Sequence, residues 1–285
     1  MHAILQKAVG ILSLLVVFSK TQAQQVFEND AGYREKHFIY EVKLIDEFFE
    51  RFNDDSSSFI RSVYKSRHIP FTLTRDKLIR SLFNYQAQHW DTTMIHAFIE
   101  TVTDPGSPVL LNFYGDNWYA EVNCQFQYKA GTVEIPLILK IETENSGARW
   151  VIVAVKSNPM KQETTEVRLT GSPEHRSRSM NPVIHGNNFI ELDSVFRDRG
   201  HLSEYFDSLF FNRKYSLNFY DAIQKNQIQF IKVNRVRYHY LQAVPWIFTV
   251  DYFERKDLNA GWLINTLEKV SPPDMEAYRK KLLEE

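Results

Sequence analysis

One cysteine in 285 residues, Cys124, leaves this chain no partner for an internal disulfide, so its stability has to come from packed apolar groups. Neither sign of charge is in excess, with 34 basic and 35 acidic residues. A surface without accumulated Lys and Arg has no sequence-independent grip on phosphate backbones or anionic lipid, which argues against nucleic acid as a partner. Long apolar runs are missing too: Ala8 to Phe18 spans about eleven residues, where a membrane-crossing helix needs about twenty. There is no glycine-rich phosphate loop, no Gly-x-Ser-x-Gly elbow and no His-Glu-x-x-His helix. No motif implies a cofactor or a metal ion.

What is there begins with MHAILQKAVGILSLLVVFSKTQAQ, where Lys7 precedes the apolar run and the small residues Thr21 and Ala23 precede Gln24. That is the pattern of a cleavable secretory signal peptide over residues 1–23. Cleavage would remove Lys7 and Lys20 and no acid, leaving a mildly acidic chain, periplasmic or secreted, with no stable membrane insertion. Its 44% hydrophobic and 14% aromatic residues supply one large or two medium cores.

Along the mature chain the hydrophobic period changes twice. Val42, Ile45, Phe48, Phe49 and Phe52 fall at three- and four-residue steps, the pattern of an amphipathic helix. Further helices are predicted after Ser58, near Thr74 and over Thr93 to Val102. Beyond Pro105 and Gly106 the period becomes two, and Trp118, Ala120, Val122, Cys124, Phe126 and Tyr128 share one strand face. Strands follow over Val133 to Glu142 and Arg149 to Lys156. The stretch 158–182 is rich in Ser, Thr, Pro and charge and reads as a linker, with one short strand at Thr165 to Leu169.

The second half repeats the order. Helical patterns over Phe189 to Phe196, Leu202 to Phe210 and Leu217 to Lys225 precede strands at Ile228 to Val233, Arg235 to Leu241, Trp246 to Phe253 and Trp262 to Leu267. The hairpin IPLILKIETENSGARWVIVAVKS from Ile135 is echoed from Val244, matching Pro136 to Pro245, Ile138 to Ile247, Ala148 to Ala260, Trp150 to Trp262 and Ile152 to Ile264. The organisation expected is α+β, with two successive helix-then-antiparallel-sheet units at 24–157 and 183–271 and a charged, solvated C-terminal tail at 272–285.

Helices followed by an aromatic-rich antiparallel meander ending in RWVIVAVK and GWLINTLEK resemble the NTF2-like, cone-shaped α+β superfamily, in tandem. The TQAQ leader ending and the aromatic style also resemble exported proteins of Bacteroidetes. The superfamily resemblance implies curved sheets with a pocket inside each cone. It is an active site using Asp with His or Tyr in some members and a binding or assembly surface in others, so fold analogy selects no catalytic residue.

The residues themselves offer few reactive groups. Cys124 lies among Val122 and Phe126 on the apolar strand face, where it packs as a small hydrophobe. His89, Asp91 and His96 could share a helix side but not a closed zinc-site spacing. His185 sits in turn chemistry, and Glu134, Glu142 and Glu144 are expected to solubilise a wet sheet face. Arg168, Arg176 and Arg178 belong to the solvated linker. The aromatics of the second unit are the candidate site: Tyr238 and Tyr240 on one strand face, and Trp246, Phe248 and Tyr252 on the next, line a cavity for a small apolar ligand or a partner protein. The function expected is exported, non-enzymatic binding or scaffolding on the concave sheet faces. The alternative is an isomerase, dehydratase or hydrolase with an Asp, His or Tyr site in one cone.

Overall fold

The computed structural model describes residues 41–86, 89–144, 147–157, 177–256 and 259–284. The leader, the start of the first unit, and most of the 158–182 linker with its strand at Thr165 to Leu169 lie outside the described residues. Four helices come first: α1 Ile45–Asn53, α2 Phe59–Ser66, α3 Arg75–Ser81 and α4 Thr92–Val102. Three strands follow, β1 Trp118–Tyr128, β2 Gly131–Glu144 and β3 Gly147–Val155. A 3-10 turn at Pro182–Asn187, helix α5 Leu192–Arg197, two more 3-10 turns and helix α6 Ser216–Gln224 lead to β4 Ile228–Tyr240, β5 Trp246–Phe253 and β6 Gly261–Lys269. The chain is thus α+β, and its helices start where local chemistry directs. Asp91, for example, accepts the N–H groups of Thr93 and Met94 at the head of α4.

All six strands join one antiparallel sheet in the order β3-β2-β1-β4-β5-β6, with β1 and β4 side by side at its centre. Ile228 to Leu241, expected as two strands, is nearly all one strand with bulges at Ile231 and Asn234, where the register against β1 shifts. Bulges bend a strand and increase its twist. Period-two alternation sends Trp118, Val122, Phe126, Trp150, Tyr238, Tyr240, Trp246, Phe248 and Trp262 to one face, where they form a single apolar core with the helices.

The helices that cover this face pack on strands of their own half, as Phe49 does on Trp118 at 5.2 Å and Phe196 on Phe230 at 5.6 Å, and also reach across to the other half. Phe48 of α1 stacks on Tyr240 at 5.7 Å, and Phe98 of α4 meets Trp246 at 5.6 Å, so first-half helices cover second-half strands. In return, Phe196 of α5 and Phe219 of α6 close on Phe126 of β1 at 5.5 and 5.7 Å, and Phe189 meets Trp150 of β3 at 5.1 Å. The two edge strands are sealed in the same crossed fashion. Trp150 N–H donates to Met180 O and Ile152 O accepts from Asp207 N–H; Trp262 N–H donates to Val42 O and Ile264 O accepts from Asn84 N–H. Edge groups that would otherwise template aggregation are occupied.

These ladders correct part of the sequence echo. Leu139 pairs with Ile152 and Val250 with Ile264. Superposing Trp150 on Trp262 therefore equates Leu139 with Val250, whereas matching Pro136 to Pro245 would equate it with Phe248. The identities on β3 and at the head of β6 share a structural position; those on β2 and β5 are two residues out of register.

The last segment, expected as a solvated tail, is instead helix α7 Pro272–Leu283, started by Ser271. It buries Leu282 and Leu283 against Tyr119, Ile138, Val151, Val153 and Ile247 on the opposite sheet face. Two leucines in a charged segment, too few to set a period, were enough once an apolar strip lay within reach. Among the described residues no helix is long and apolar enough to cross a membrane.

Candidate binding cleft at the sheet fork

The long alternating run of β2 pairs with nine consecutive residues of β1, Ala120 to Tyr128, whereas β5 pairs with only four residues of β4. The ladder ends at Arg237 opposite Asp251. There the strands fork. Past Phe253 the chain swings toward β6, held by Arg255, whose guanidinium donates to Asn84 Oδ1 at 2.6 Å. The fork is pinned by Asp251, buried at 1% exposure, which accepts from Arg235 at 2.7 Å, from Arg237 at 2.9–3.1 Å and from Asn265 at 2.8 Å. A buried carboxylate so fully paired is costly to disturb.

A cleft of about 350 Å³ opens at the next positions, Val236 and Tyr252. Trp262 and Tyr252, edge to face at 5.3 Å, form its aromatic side, and the bulged stretch Val233 to Val236 forms another. Lys43, Leu44 and Ile45, at the approach to α1, face His185, Gly186 and Asn188 across it. His185 is held on both ring nitrogens: Nδ1 lies 2.6 Å from Pro182 O and Nε2 lies 3.1 Å from Asp46 Oδ1. Lys43 and Arg235 put two cationic side chains on the cleft rim, each beside an acid, Glu41 at 3.7 Å and Asp251 at 2.7 Å.

Of the five aromatics predicted to line a cavity, only Tyr252 reaches one, at 45% exposure. Tyr238, Tyr240, Trp246 and Phe248 are buried to 1% exposure or less. Tyr240 and Phe248 stack at 4.8 Å beneath Phe48, so α1 fills the face the sequence left open. Burial pushes both tyrosine hydroxyls upward in pKa, and neither Oη has a hydrogen-bond partner among the described residues. Trp262, Arg235, Lys43 and Asn188 were not singled out for a site, because the fork depends on where β5 stops pairing, which no local period records.

The remaining candidates have structural partners. Cys124 is buried and its thiol is pushed up by burial. Asp91 caps α4, His96 faces Glu100 at 3.2 Å, Glu134 accepts from Asn234 and Asn123, and Glu142 pairs with Arg149. On the opposite sheet face, His239 Nδ1 accepts from Tyr278 Oη of α7 at 2.7 Å, and its Nε2 lies 3.3 Å from Glu121, off the line of a hydrogen bond. Burial lowers the His239 pKa. Burial also pushes Glu121 up, but His239, Lys156 and Arg237 outweigh it and hold that carboxyl at about 2.

Among the described residues no group of three or more His, Cys, Asp or Glu side chains could hold a metal ion. No protein-family model matches this chain, and no curated protein or solved structure matches it.

Proposed function

We propose that this is an exported, non-enzymatic binding protein built of two related NTF2-like units, and that it binds at the sheet fork rather than on the concave faces. The observation that carries the reading is the cleft itself: two aromatic rings and two cationic side chains converge on about 350 Å³ beside a strand that has lost its neighbour. Such a mixture of aromatic faces and oriented polar groups suits recognition. The crossed sealing of the two edge strands, with Trp150 and Trp262 in equivalent bonds, supports the reading of two related units. The leader pattern supports export.

Native mass spectrometry of the purified chain tests it, in parallel with the Tyr252→Ala/Arg235→Ala variant. Retained mass that disappears on denaturation and is lost in the variant is the expected result. Mass retained equally by both proteins places the ligand elsewhere and overturns the reading.

A further inference from the structure

The fork leaves more than a cleft. From Ile228 to Val236 the β4 edge facing away from β1 pairs with no strand among the described residues. Ile231 is 43% exposed there, and Gln229, Lys232, Asn234 and Arg235 are exposed. A second cavity, of about 410 Å³, lies at the far end of the same edge, where Phe196 and Ile223 face Ile228 to Phe230 beside Arg197 and Arg199. Both cavities lie on the helix-covered side of the sheet, one at Val233 to Val236 and the other at Ile228 to Phe230. Bulges at Ile231 and Asn234 shorten the run between them: the two stretches pair around Gln127 and Asn123 of β1, so at about 3.4 Å per residue they are roughly 14 Å apart, the spacing of two side chains four residues apart on one face of a strand.

We propose that the open edge of β4 takes an extended, acidic peptide segment of a partner protein as an added strand. Two apolar side chains about four residues apart enter the two cavities, with carboxylates facing Lys232 and Arg235. This rests on the binding reading above and names the partner. Main-chain bonds to an open edge supply affinity in this mode, and alternate side-chain pockets supply selectivity. The charge argument is local: of the acids beside the edge, Asp193 is engaged by Arg197, Asp251 by Arg235 and Arg237, and Glu134 by Asn123 and Asn234, while Lys232 is exposed on the edge itself.

The test uses a displayed library of random dodecapeptides selected on the purified chain, with enriched peptides then synthesised. Enriched sequences are expected to share two apolar positions four apart and at least one acid. N-methylating the alternate amides on one side of such a peptide should weaken binding at least about tenfold, and methylating the other amides should leave it nearly unchanged. Tyr252→Ala should weaken it comparably, and exchange of those amides in 228–236 that point away from β1 should slow only when peptide is present. Peptides that bind indifferently to N-methylation overturn the added strand while leaving the cleft reading intact. Peptides indifferent to both N-methylation and Tyr252→Ala overturn both. Slow exchange of those outward amides in the free chain at low concentration overturns the proposal in favour of self-filling. Slow exchange that grows with protein concentration overturns it in favour of a second copy.

Discussion

Gly261 lies directly against the backbone of Val42: a Cβ added at Gly261 would sit 2.0 Å from Val42 O. The glycine also has φ of 87°, in the region that L side chains rarely adopt. Val42 is the residue whose N–H and C=O tie the approach to α1 onto β6, at 3.1 Å to Ala260 O and 2.8 Å from Trp262 N. Gly261→Ala should therefore cost about 2–4 kcal/mol and spread the Lys43 side of the cleft from Trp262. Urea denaturation reads the first effect and tryptophan fluorescence the second; an unchanged midpoint would refute the close approach.

The hydroxyl of Tyr240 is a group the core does not use. A buried, unpaired hydroxyl costs roughly 1–3 kcal/mol, so Tyr240→Phe should raise the urea midpoint by the equivalent of about 1 kcal/mol. Loss of stability would instead reveal a partner for that oxygen.

Acid should act in two separate windows. His239 has a lowered pKa in the folded chain, so the unfolded chain binds the proton first and stability falls as pH drops from about 6.5 toward the folded value. Glu121 is depressed from 4.5 to about 2, so its contribution is whole above 4.5 and disappears as pH falls through that interval. Thermal midpoints followed by circular dichroism should show both declines. His239→Gln should remove the upper one and shrink the lower, because His239 is among the groups that hold the Glu121 carboxyl down; an upper decline that persists in the variant would assign it to another group.

The helix α7 is predicted to hold by its last residues. Leu282→Ala removes a side chain that is 3% exposed against the Val151 and Ile247 strip and should cost about 2 kcal/mol. Proteolysis should then begin within 272–285 before the sheet is attacked. Simultaneous cleavage throughout the chain would show that α7 is not a separable latch.

Much of this architecture is written in local periods. The alternation from Trp118 to Tyr128 and the apolar steps from Ile45 to Phe52 lie in elements of the expected type, and a helix begins after Ser58 although Ser58 makes no side-chain cap; Val42 instead bridges to Gly261. What local periods do not carry is which strand lies beside which. The pairing of Val122 with Val236, more than a hundred residues apart, merges the strands of both halves into one sheet. That pairing also delivers α1 to the face of Tyr240 and Phe248, so the aromatics with the richest apparent surface became interior. The cleft residues are those next to a pairing that stops, and a stopped pairing leaves no trace in composition.

The crossed helices have a consequence for the chain as a polymer. Each half carries part of the lid of the other, so neither half owns a complete hydrophobic interior. A single break within 158–176 would leave two fragments that need one another: an intramolecular association would become a bimolecular one, and the folded fraction would become a function of concentration. Held in one chain, the halves face each other at an effective concentration set only by their connecting residues. The two halves therefore fold as a joint event, one cooperative unit made by mutual enclosure.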